Sequence, residues 1–105
     1  MDTNKIADLL AKVESLLATL RETEQSERMA IGWRILSHIT QIYGAVNSSN
    51  VRAPGQLLVA KLIRQEAERL IKQTEISIPA IPEEFYIMIN SIKSTGSEND
   101  LEKTG

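Results

Sequence analysis

The chain has 105 residues, a formal net charge of −2, one His and no Cys; that length suits one domain with a small core, and without Cys there is no disulfide framework, thiolate nucleophile or Cys-based zinc site. Residues 1–94 carry eleven basic and eleven acidic side chains, so the whole deficit lies in the tail, where Glu98, Asp100 and Glu102 outweigh Lys103. A neutral body exerts no long-range pull on nucleic acid or anionic lipid, and little repulsion opposes its self-association.

The opening residues, MDTNKIADLL, are acidic and amphipathic, unlike a signal peptide. Asp2 or Thr3 suits the N-cap of a first helix running to about Glu22. Its heptad seam of Ile6, Leu9, Val13, Leu16 and Leu20 is widened by Leu10 and Leu17, the pattern of a bundle helix. Thr23 to Ser26 offers N-cap candidates but no Pro or Gly, so the first two helices form either a tight hairpin or one continuous rod.

The second helix organises the chain. At ~100° per residue, Ile31, Ile42, Ile35, Val46, Ile39, Tyr43, Leu36, Met29 and Trp33 spread over roughly 200° of arc, wider than a surface helix requires. This helix is therefore expected at the centre of a bundle, with Glu27, Arg34, Ser37, His38 and Gln41 as its wet strip. Gly32 falls inside the apolar arc and suits a close approach by another helix. The uncharged run Ile35 to Val51 is broken by Ser, His, Gln and Asn, so it is no membrane span.

Asn47 to Asn50 reads as a loop, and Pro54 suits the first turn of a third helix extending to Thr74. Val59, Ala60, Ile63, Ala67, Leu70 and Ile71 form one face of it. Leu57, Leu58 and Leu62 carry apolar surface around most of the circumference, so its first half is expected to be the more buried. Ile76 to Pro82 is too rich in proline for a helix and is expected to lie extended across a groove. Pro82, Glu83 and Glu84 then start a fourth helix running to about Lys93, with Ile81 as staple. Phe85, Met88, Ile89 and Ile92 share a face, while Tyr86 and Ile87 point elsewhere. The polar tail from Ser94 is expected to be disordered.

His38 is the sharpest chemical candidate. A solvent-facing His on a central bundle helix resembles histidine phosphotransfer domains, which implies a phosphoryl-accepting imidazole. Gln41 and Ile42 stand where that family carries Lys and Gly. Arg34 with His38 is also similar to the Arg–His pair of helical RNases, at a shorter spacing. Glu83 and Glu84 suit the helix dipole rather than acid–base work. Glu66 and Glu68 interleave with Lys61, Arg64, Arg69 and Lys72 as a mixed-charge face, Glu68 and Lys72 at a favourable spacing. Too few ligand types converge for a metal site, and no phosphate loop or nucleophile elbow is present.

The expectation is an all-α, four-helix bundle, three helices long and one short, over residues 1–93, open to completion by dimerisation, with a tail over 94–105. The function it suggests is that of a non-enzymatic, cytoplasmic adaptor, regulator or assembly factor, without cofactor, binding another protein through an apolar helical face. Trp33, Arg34, His38, Gln41, Tyr43, Tyr86 and Ile87 are its candidate interaction residues. A phosphotransfer module using His38 and a small nucleic-acid-binding regulator are the alternatives; the neutral body and scarce aromatics weigh against the second.

Overall fold

The computed structural model describes residues 2–47 and 54–96, which form helices α1 (Thr3–Glu22), α2 (Gln25–Asn47), α3 (Pro54–Ser77) and α4 (Glu83–Gly96). The expected all-α bundle is what the chain builds. Asp2 is the N-cap of α1, its Oδ1 accepting from the Lys5 amide at 3.1 Å. The buried line of α1 is Ile6, Leu9, Val13, Leu17 and Leu20, with Leu16 only half-buried.

Between α1 and α2 the chain makes a tight hairpin, not a continuous rod. Thr23 leaves the helix with φ −87° and ψ 149°, its amide donating to the Leu20 carbonyl at 3.2 Å. Arg28 secures this corner. Its Nε donates to the Thr23 carbonyl at 2.9 Å, Nη2 to the Arg21 carbonyl at 3.4 Å and Nη1 to the Ser77 carbonyl at 3.1 Å. Carbonyls at helix C-termini lack intrahelical partners and carry partial negative charge, so one half-buried guanidinium satisfies the ends of both α1 and α3.

Helix α2 is central, packing against each of the other three. It buries Gly32, Ile35, Leu36, Ile39, Ile42, Tyr43 and Val46, as its wide apolar arc requires. Helices α1 and α3 lie side by side, joined by the Arg21–Gln73 hydrogen bond at 3.0 Å and the Arg69–Glu14 ion pair. Helix α4 seats Phe85, Ile89 and Ile92 in the core. Gly32 makes room for Phe85 and for Ile78: a Cβ there would stand 2.5 Å from Ile78 Cδ1 and 3.2 Å from Phe85 Cε2. Trp33 meets Phe85 edge to face, ring centroids 5.1 Å apart, a favoured aromatic geometry.

Three boundaries differ from the sequence expectation. Helix α3 continues through Ile76 to Ser77 rather than stopping at Thr74. Pro79 restricts mainly the residue before it, so the helix persists almost to Ile78, whose amide donates to the Glu75 carbonyl at 3.3 Å. The connector is therefore only residues 78–82, in which Ile78 is buried and Ala80 adopts a left-handed φ of 52°. Ile76 does not cross a groove; it is 68% exposed. Helix α4 takes in Ser94 and ends at Gly96. Asn47 closes α2 instead of opening a loop; the rest of that expected loop and of the expected tail lies outside the described residues.

The largest departure is at the start of α3. Leu57, Leu58 and Leu62 are 54%, 58% and 54% exposed, whereas Ala67, Leu70, Ile71 and Thr74 are buried. The first half of α3 is thus the less covered half. Its ties to α1 fall at Arg69 and Gln73, and the N-terminus of α4 docks at Gly32 and Trp33, near the opposite end of α2.

Two tests follow from this packing. A Cβ at Gly44 meets nothing within 4 Å, so Gly44→Ala should raise stability by about 1 kcal/mol through helix propensity. At Gly32 the same gain is outweighed by displacement of Ile78 and Phe85, an overpacking cost of about 1–3 kcal/mol; equal rises in urea midpoint for the two variants would refute the close fit. Arg28→Ala should cost about 2–3 kcal/mol, since it strips carbonyls of charged donors, measured by the same unfolding curves.

Candidate functional surface

The candidate residues differ in burial: Arg34, His38 and Gln41 share one face of α2, whereas Tyr43 lies in the core and Tyr86 and Ile87 stand on α4. Arg34 and Gln41 are exposed on α2, and Gln41 Nε2 donates to the Ser37 carbonyl at 3.5 Å. His38 is half-buried between them, its Nδ1 buried without a hydrogen-bond partner. No hydrogen bond among the described residues joins His38 to Arg34 or Gln41, so the three do not form one constellation. Trp33 is half-buried against Phe85. Tyr43 is a core residue at 3% exposure, not a surface one. Tyr86 and Ile87, with Met88, are exposed on α4 at 45%, 59% and 40%.

Sequence reasoning missed the surface that stands out most. Leu57, Leu58, Val59 and Leu62 are all exposed in the opening turns of α3, while Ala60 turns inward at 1%. Contiguous exposed apolar side chains of this kind mark interaction sites. The signal was present in the run LLVAKL, which is apolar on too many sides for one neighbouring helix to cover. Deep burial is the other outcome such a pattern permits.

A second feature lies where α2 meets α3. Arg64 Nη2 donates to Asn47 Oδ1 at 3.1 Å, and Tyr43 sits one turn before Asn47 on α2. Tyr43 Oη, Asn47 Nδ2 and Arg64 Nε are buried without hydrogen-bond partners. Burial, with the Glu68 carboxylate adding to it and the Arg64 guanidinium opposing, pushes the Tyr43 phenol up to about 12. Among the described residues, no three His, Asp or Glu side chains are grouped to hold a metal ion. No described helix is long and apolar enough to cross a membrane. No family model, curated protein or solved structure matches the chain.

The phenol has a pH consequence. Its folded pKa lies above the unfolded value near 10, so the stability it contributes is complete below pH ~10 and is lost as pH rises through about 12. Denaturant unfolding across this alkaline range should show a decline in the wild type that Tyr43→Phe lacks; parallel curves would show that Tyr43 titrates normally.

Proposed function

We propose that the protein is a non-enzymatic interaction module of the cytoplasm, a small adaptor, regulator or assembly factor that binds another protein and pairs with a second copy of itself. One observation carries this reading: the opening turns of α3 present Leu57, Leu58, Val59 and Leu62 to solvent on a helix whose other side is already packed. Burying apolar surface contributes ~25 cal/mol per Å², and an apolar helix stripe docks into a partner's groove or against another helix. The charge balance supports the same reading, because eleven basic and eleven acidic groups over residues 1–94 leave little repulsion between copies. Tyr86, Ile87 and Met88 extend the apolar supply on α4.

Leu58 and Leu62 are exposed, so changing them leaves the core intact. The double variant Leu58→Glu, Leu62→Lys places a favourable pair one turn apart and should keep wild-type helicity and unfolding midpoint. Sedimentation should show concentration-dependent pairing in the wild type only, and affinity capture should recover a stoichiometric partner with the wild type only. A wild type that stays monomeric and captures nothing, or a variant that associates equally well, would overturn the assignment.

A further inference from the structure

We propose that the α2–α3 junction is a binding site for a small oxyanion, a phosphate or carboxylate group, held by Arg64, Asn47 and Tyr43. The proposal stands independently of what docks on the opening turns of α3.

Beyond the Arg64–Asn47 hydrogen bond, this junction holds N–H and O–H groups with no acceptor. Arg64 Nε carries one N–H, Asn47 Nδ2 carries two and Tyr43 Oη carries one, and all three atoms are buried and unpartnered. Tyr43 itself is 3% exposed. They lie together: Arg64 Nη2 reaches Asn47 Oδ1 at 3.1 Å, and Tyr43 and Asn47 are a turn apart on one side of α2. An unmade hydrogen bond on a buried group carries its full desolvation cost, so such a cluster calls for an acceptor.

Charge decides which acceptor. The ion pairs among the described residues belong to Arg69, with Glu14 and Glu66; Arg64 has none, and its one hydrogen bond goes to a neutral amide oxygen. A partly buried guanidinium without a counter-charge is unfavourable. A water molecule would accept two of the open N–H and O–H groups but leave the charge uncompensated. An oxyanion has acceptors only, accepts from all of the donors and neutralises the guanidinium, the pairing for which Arg geometry is suited. Asn47 and Arg64 are both half-buried, Asn47 at the end of α2, so the pair is not sealed from solvent.

The nearest rival is Glu68, one turn beyond Arg64 on α3 and close enough to raise the Tyr43 phenol. In the proposed site Glu68 repels the ligand; in the rival arrangement it swings inward and is itself the counter-ion. The two make opposite predictions for Glu68→Gln.

The test follows thermal unfolding of the full chain in inorganic phosphate, sodium acetate and sodium chloride at matched ionic strength. Phosphate should raise the midpoint saturably over chloride; acetate doing likewise would mark a carboxylate site, and acetate tracking chloride a phosphate site. Glu68→Gln should lower the phosphate concentration needed severalfold. Asn47→Asp, which supplies Arg64 with a covalently attached carboxylate, should unfold at a higher temperature without phosphate and lose the response; it also serves if Arg64→Gln fails to fold. Arg64→Gln and Tyr43→Phe should respond weakly or not at all. The proposal fails if neither anion gives a saturable rise, if Asn47→Asp and Tyr43→Phe respond like the wild type, or if Glu68→Gln lowers stability and leaves phosphate without effect.

Discussion

Helix α2 must hide an apolar arc too wide for any single neighbour, and the arrangement of the other helices follows from that constraint. Helices α1 and α3 cover one part of the arc, and α4 covers another by seating Phe85 over Gly32. A glycine in mid-helix weakens the helix itself, but here it lets an aromatic ring and an isoleucine come within reach of the backbone. The cost in helix propensity is offset by the packing it permits.

The polar groups inside this frame divide into two kinds. Thr74 is buried but satisfied, its Oγ1 donating to the Leu70 carbonyl at 2.8 Å. Arg28 is satisfied by three carbonyls at helix ends. Tyr43, Asn47 and Arg64 are not. At one end of the bundle a guanidinium closes the structure, and toward the other the Arg64 Nε–H has no acceptor. That asymmetry singles out the α2–α3 end, and the exposed leucines of α3 lie on the same end.

Much of the framework was legible in the residues. Asp2 as cap, the wide arc of α2, the close approach at Gly32 and the acidic start of α4 each follow from a local rule, and each is present. The hairpin between α1 and α2 was not decidable locally, since what secures it is Arg28 reaching Ser77 across the bundle. The burial of α3 is not decidable locally for a related reason: LLVAKL states how much apolar surface exists, not whether a neighbour is there to cover it. The half-burial of His38 between exposed Arg34 and Gln41 likewise depends on which edge of α2 its neighbours occupy, and the polar junction joins residues from two helices that no sequence spacing relates.

The attachment of α4 has a kinetic side. This helix rests chiefly on α2, and it is joined to α3 by a short connector in which Ala80, between two prolines, holds a left-handed conformation that a side chain disfavours. Helices α1 to α3 share contacts among themselves that do not pass through α4. Opening α4 therefore gives up packing chiefly against α2 and leaves the contacts among α1, α2 and α3 intact, the arrangement from which sub-global opening is drawn. Such an opening would bare the slot around Gly32 and Trp33 that Phe85 fills, an apolar groove shaped for a helix.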